Sequence, residues 1–237
     1  MRDIKGILFD KDGTLVDFQA TWFAIGDLLA LKAAGGDRAK ADGLMRAAGY
    51  DFSRQCFKAD SVFAAGTNAD IVALWYPDKG LDERRAMTAG FDRFTAEQGA
   101  SQSVPLPGSQ DAIARLHGSG FRLGVATNDS TGGAEKTLLA LGVAQMFDAA
   151  YGYDAVANPK PAPDSIYAFS ELTGLKPSQI AMVGDNRHDL EMARAGGVGL
   201  AVGVLSGTGT RETLTPLADV ILDSIADLPG YLTDRNT

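Results

Sequence analysis

The chain opens with a short apolar run, Ile4 to Phe9, rich in branched residues and stopping abruptly at Asp10-Lys-Asp-Gly-Thr14. That is the pattern of a buried strand opening into a loop. From Asp17 to about Gly99 the period changes. Phe18, Trp22, Ile25 and Leu29 recur at helical spacing, and further helical stretches are expected around Leu74 and Phe91, with no strand evident between. Both tryptophans, Trp22 and Trp75, lie here with much of the phenylalanine, so the stretch can bury a small core of its own.

After Pro105-Leu-Pro-Gly108 strand and helix periods alternate. Strands are expected near Phe121–Ala126, Phe147–Gly152, Gln179–Val183, Val198–Val202 and Asp219–Leu222. Helices are expected around Asp111–His117, Ala134–Leu141, Asp164–Thr173 and Asp189–Ala195, each bounded by Gly or Pro. Helical crossovers imply parallel pairing, so the fold class is α/β, a doubly wound, Rossmann-like parallel sheet. Residues 1–16 and 100–237 would form this α/β core, and residues 17–99 an inserted helical domain. The insertion follows the first strand at once, above its carboxyl end, where open α/β sheets bind ligands.

Composition narrows the function classes. With 237 residues and 45% hydrophobic content the chain can build a real core, and disorder is excluded as a description. A net charge of -8 would repel a phosphate backbone, so no nucleic-acid partner is expected, and an anionic substrate has to be held locally. Neither terminus carries a basic and apolar signal, and no apolar run approaches the roughly 20 residues that span a bilayer. The expected location is the cytoplasm, with no membrane partner. Cys56 is the single cysteine and there are two histidines, a poor stock for zinc, so any metal should be oxygen-ligated.

Four places then carry chemistry. Asp10 and Asp12 lie two apart at the end of the first strand, where one carboxylate can act as nucleophile while the other handles a proton. A phosphoryl group repels anionic attackers, so such a nucleophile needs a cation on the phosphate oxygens, and magnesium provides one with oxygen ligands. Taken alone, the same motif describes an Asp-rich turn. Thr127 and Asn128 follow the second strand and can donate hydrogen bonds to phosphate, or cap the helix near Ala134. Lys160, set between Pro159 and Pro161, is a restrained ammonium suited to neutralising phosphate, although lysines are ordinarily solvated. Asp185 follows the apolar run ending Met182-Val183, with Asp189 one helical turn on; these are a metal carboxylate and its neighbour, or a helix cap with Asp185 as the cap residue. Four such positions together are hard to explain as caps.

These motifs, Phe9-Asp-Lys-Asp-Gly-Thr-Leu-Val-Asp17, Ala126-Thr-Asn128, Lys160-Pro-Ala-Pro-Asp164 and Val183-Gly-Asp-Asn-Arg-His-Asp189, resemble in order and spacing the haloacid dehalogenase superfamily. The similarity is to its phosphoglycolate phosphatase-like branch with a helical cap. The resemblance implies a phosphoric monoester hydrolase working through an aspartyl phosphate. It makes Asp10 the nucleophile and Asp12 the acid and base, with Thr127 and Lys160 holding the phosphoryl group and Asn128 contacting phosphate or nucleophile. Asp10, the main-chain carbonyl of Asp12 and Asp185 would bind Mg2+, supported by Asp189, and Gly13-Thr14 would be the turn that lets the cap move.

Within that resemblance Asp12 argues against a dehalogenase, which has no ester oxygen to protonate, and against phosphonate-cleaving relatives. A sugar phosphomutase keeps both aspartates and stays open as the alternative. A receiver-type phosphoacceptor domain needs no cap and fits poorly. The expected partner is a small phosphorylated metabolite, with phosphoglycolate-like compounds favoured, and the expected state is a monomer or homodimer. Phe63-Ala-Ala-Gly66-Thr67 is a candidate specificity loop whose small residues let backbone amides approach a ligand. Arg54 and Lys58, one turn apart if helical, are candidates for a second anionic group of the substrate. Asp129 departs from the branch, which often carries lysine after the asparagine matched by Asn128; an acid there would not help a doubly anionic substrate.

Overall fold

The computed structural model describes residues 3–233. The first strand, β1 (Gly6–Phe9), is followed by α1 (Phe18–Ala33), α2 (Arg38–Ala47), β2 (Tyr50–Asp51), β3 (Cys56–Phe57), α3 (Val62–Ala65), α4 (Asn68–Trp75) and α5 (Leu81–Gln102). The alternating part comprises α6 (Ser109–Gly118), β4 (Arg122–Ala126), α7 (Thr131–Ala140), β5 (Ala149–Tyr151), α8 (Asp164–Thr173), β6 (Ile180–Gly184), α9 (Arg187–Gly196), β7 (Leu200–Val204), α10 (Arg211–Leu214), β8 (Val220–Leu222) and α11 (Leu228–Thr233).

Six strands pair in parallel in the order β5-β4-β1-β6-β7-β8. The chain runs from β1 outward through β4 and β5, then returns across the sheet to β6, β7 and β8. The order therefore reverses at β1, where Phe9 is level with Val125 on one side and Val183 on the other. Successive β1 residues face opposite layers. Ile7 and Phe9 pack with Ile113, Leu138 and Leu228, while Leu8 packs with Ile166, Phe169 and Leu190. Helices thus cover both faces, which is why the strands read as unbroken apolar runs.

The residues between β1 and α6 build a third apolar cluster around Phe18, Trp22, Ile25, Met45, Phe63, Trp75 and Phe91. Helix α1 starts where Asp17 accepts a bond from the Ala20 amide, and α4 starts at a capping box between Thr67 and Asp70. One expectation fails here: β2 and β3 form a small antiparallel hairpin where no strand was evident. Its strands are two residues each, too short to show a period. What sets it is the turn, in which the Asp51 carboxylate accepts from the Ser53 amide, the Ser53 hydroxyl and the Arg54 amide, with Gln55 left-handed at φ 54.

The chain leaves and re-enters the sheet along two adjacent segments, joined by the Asp17 amide on Val104 O at 2.8 Å and the Leu106 amide on Leu15 O at 3.0 Å. This joint fixes α1 at the carboxyl end of β1. Among the described residues no helix is long and apolar enough to cross a membrane.

Candidate active site

Three predicted side chains are fixed where the sheet ends. The Asp10 amide bonds Val183 O at 2.8 Å and the Thr127 amide bonds Tyr151 O at 2.9 Å, each carrying a ladder one residue past its strand. Asp185 directly follows β6. Lys160 reaches them from the loop before α8, its Nζ 2.6 Å from Asp10 Oδ1 and 2.6 Å from Asp189 Oδ1, all three buried. The peptide joining Lys160 to Pro161 is cis.

Helix capping is assigned to other residues. Ser130 caps α7, accepting from the Gly133 amide at 3.2 Å, so neither Thr127 nor Asn128 is spent there. Asn186 caps α9 in a box with Asp189, whose Oδ2 accepts from the Asn186 amide at 2.9 Å. Asp185 is thereby free of the cap, with its Oδ2 taking the Thr208 amide at 2.7 Å. Glycines make the crowding possible. A Cβ on Gly184 would lie 2.3 Å from the Asp189 carboxyl, and Gly13 combines φ +85 with an Asp185 contact that a Cβ would bring to 2.7 Å. The Gly13 turn is tied by its amide to Val16 O and by Ser206 Oγ donating to its carbonyl at 2.7 Å.

The charge balance of this cluster is incomplete. Asp10, Asp185 and Asp189 place carboxylate oxygens within 4.8 Å of one another, with the one ammonium of Lys160 between Asp10 and Asp189. Burial pushes the Asp10 carboxyl up to about 7, against the pull of Lys160, and Asp189 and Asp12 push it further. Burial likewise raises Asp185 well above the usual carboxylate range, reinforced by Asp10 and Asp189. Burial would lower the Lys160 ammonium, but Asp10 and Asp189 outweigh it and hold it raised. Asp189 has both oxygens engaged, whereas Asp10 and Asp185 each keep one without a protein donor among the described residues. A hard, oxygen-liking divalent cation fits such a donor set.

Asp12 sits in a second network that sequence reasoning misses. Its Oδ2 is 2.6 Å from Lys11 Nζ, and its Oδ1 accepts from the Trp22 indole Nε1 at 2.6 Å. Lys11 is 1% exposed, so its charge is committed inside the protein, and it also meets Asp129 Oδ2 at 3.2 Å. Asp129 is therefore neutralised by a cation supplied from β1's side of the cleft. A readable signal existed: Lys11 and Asp129 are an unexpected cation and an unexpected anion in two motifs that the fold brings together.

A cleft of about 590 Å³, counting its open mouth, lies between this floor and a wall from α1, α3 and α4. Gly66 lines it, yet its amide is spent on Val62 O at 2.9 Å, and the Ala65 and Thr67 amides are spent on Ser61 O and Asp70 Oδ2. The expected approach of free amides to a ligand is not what the loop offers. A Cβ on Gly66 would instead meet Val62 O at 2.6 Å, so local packing explains the glycine. Asn128 lines the cleft and bridges its two sides, with Nδ2 donating to Ala65 O at 2.7 Å and Lys160 O at 3.2 Å. His188 Nδ1 meets the same Ala65 carbonyl at 3.2 Å. Arg54 is not brought to the site. It lies exposed in the hairpin turn, and Lys58 follows β3 rather than sharing a helix with it, because Asp51 folds that segment into a turn.

Comparison with known proteins agrees with this layout. Residues 4–197 match the haloacid dehalogenase-like hydrolase family. A phosphoglycolate phosphatase of Salmonella typhimurium is 32% identical over 240 residues, spanning 96% of this chain and 92% of its own. That of Escherichia coli is 32% identical over 238 residues, spanning 95% and 91%. Among solved structures, a predicted phosphoglycolate phosphatase from Haemophilus somnus superposes with a TM-score of 0.73 at 24% identity, covering 98% of this chain and 99% of that one. CbbY from Rhodobacter sphaeroides in complex with phosphate gives 0.68 at 24% identity, covering 95% and 96%. At such identities the solved structures establish a shared fold.

Proposed function

As this chain belongs to the haloacid dehalogenase-like hydrolases and is a phosphatase of that family, we propose that it hydrolyses a small phosphate monoester through an aspartyl phosphate on Asp10. The observation that carries the reading is the state of Asp10, a buried carboxylate with Oδ1 fixed by Lys160 and its second oxygen free of protein donors among the described residues. One Asp10 carboxylate oxygen attacks phosphorus, and the ester oxygen leaves with the proton of Asp12. Asp12 then takes a proton from water, which attacks the phosphorus of the aspartyl phosphate, releasing phosphate and restoring the Asp10 carboxylate. Lys160 and Thr127 hold the phosphoryl oxygens.

Asp10, Asp185 and the main-chain carbonyl of Asp12 are the proposed holders of Mg2+, which supplies neutralisation of the phosphoryl charge when bound. Asp189 keeps Lys160 and the Asn186 turn in place. In this reading residues 17–99 are the cap and residues 1–16 with 100–237 the catalytic core of a cytoplasmic enzyme. The Trp22 bond to Asp12, the Asn128 and His188 contacts to Ala65 and the Tyr153 hydroxyl on Asp92 are among the bonds that close the cap on the core and exclude water. The test is turnover of p-nitrophenyl phosphate with magnesium. Asp10→Asn is expected to abolish it, and rapid acid quench of the wild type is expected to trap a hydroxylamine-labile phosphoenzyme. Near-normal turnover by Asp10→Asn, or full activity after exhaustive chelation, would refute the mechanism.

A further inference from the structure

We propose, resting on the phosphatase reading, that the alcohol part of the substrate is uncharged and largely apolar, so that the cleft accepts one anionic group, the phosphoryl group, and disfavours a second. The wall opposite the catalytic floor is built by Phe18, Trp22, Phe63, Ala64 and Ile71. Its side-chain donors are already committed within the protein. Trp22 Nε1 is bonded to Asp12, Thr67 Oγ1 to Asp70, and Asn68 Nδ2 to Asp92 and Thr95, while the amides of residues 65–67 are spent on their own turn. Among the described residues no arginine lines the cleft.

The cations near the floor are likewise occupied. Lys160 is shared between Asp10 and Asp189, and Lys11 between Asp12 and Asp129. Five aspartates line the cleft, and four of them already share these two ammoniums, so neither ammonium is left over for a substrate carboxylate. His188 is the remaining basic group, and its Nδ1 is turned to Ala65 O. A carboxylate on the leaving alcohol would lose its water against apolar rings, where the side-chain donors of Trp22, Thr67 and Asn68 are already committed. A neutral alcohol with apolar carbon instead gains burial against Phe18, Trp22 and Phe63.

The test compares substrates matched in size and differing in one charge: phosphoglycolate against its neutral amide, and 4-carboxybenzyl phosphate against benzyl phosphate, all with magnesium. The neutral member of each pair is expected to have the higher kcat/KM, by about tenfold or more, the scale of a like-charge or unpaired-charge penalty. Preference for the carboxylate member overturns the inference while leaving the phosphatase reading intact. No turnover of any of the four overturns the reading on which the inference rests. Ala64→Arg adds the missing cation to the wall and is expected to raise phosphoglycolate relative to its amide; an unchanged ratio in the folded variant would show that this wall does not face the leaving alcohol.

Discussion

Raising the pH of the metal-free protein from about 4 to about 7 should destabilise it, against the usual trend for buried salt-bridged acids. The reason is Asp10. Its carboxyl moves from 3.8 in the unfolded chain to about 7 in the folded one, chiefly by burial. A carboxyl with a raised folded pKa holds its proton more tightly when folded, so its contribution is complete below 3.8 and disappears as pH rises to about 7. At ~1.4 kcal/mol per pH unit the interval corresponds to about 4 kcal/mol, a large share of a typical domain's stability. Asp185 is raised by the same burial and acts in the same sense, but the neighbouring acids titrate as a group, so the cluster's slope is less than the sum of its members. Asp37, the cap of α2, and Asp51 in the hairpin turn, lowered by bonds from Lys40 N and from Ser53, lose their contributions below this window. The assay is urea unfolding across this range in EDTA and again in excess magnesium, where the ion replaces the proton and the loss should vanish. Asp10→Asn in EDTA should lack most of the decline. A flat or rising metal-free profile, or the same decline in Asp10→Asn, would show that the acid cluster is not protonated in this way.

Two further outcomes test the second network. Asp12→Ala should lower kcat on an alkyl phosphate by ~100-fold or more, the usual contribution of general acid-base catalysis, and a wild-type kcat would remove Asp12 from that role. Lys11→Met leaves Asp129 buried beside Asp12 without its cation and should cost about 3–5 kcal/mol in urea unfolding, whereas adding Asp129→Leu should restore much of that loss. Additive losses in the double variant would mean that the two side chains are not energetically paired.

The fold was legible because its strands are buried on both faces and bounded by turns. The helix expected at Asp164–Thr173 has those bounds in the structure, while the strand expected at Val198–Val202 is found at Leu200–Val204. The reason for that shift is local. The Val198 amide goes to Ala193 O at the end of α9 and the Gly199 amide to Pro177 O and Ile180 O, so the strand starts two residues later than apolar character does. An unbroken apolar run marks a strand and leaves its ends unmarked. The β2–β3 hairpin was illegible for the opposite reason, since its polar turn carries the information and its strands carry none.

Legibility in the site followed a similar division. Asp10, Thr127 and Asp185 could be found because each directly follows an apolar run, and a residue one step past a buried parallel strand has only the mouth of the sheet to occupy. Lys160 was found by its motif, but its burial was not readable, because the bond to Asp10 joins residues 150 apart and exists only once β1 and the loop before α8 meet. Trp22 and Lys11 lie further beyond local reading. Helical spacing assigns Trp22 to the core of α1's own cluster, and it does pack there, yet the same ring sends its one polar atom across to Asp12. An amphipathic aromatic can satisfy both demands at once, so periodicity reports the apolar one and is silent on the other. The same holds for Asp129. Judged by its motif it is an acid facing a phosphate site, and only its contact with Lys11 shows that its charge is spent before a substrate arrives. Substrate preference in this chain therefore depends on which charges remain unspent after folding, and that count is a property of contacts between segments that no single motif contains.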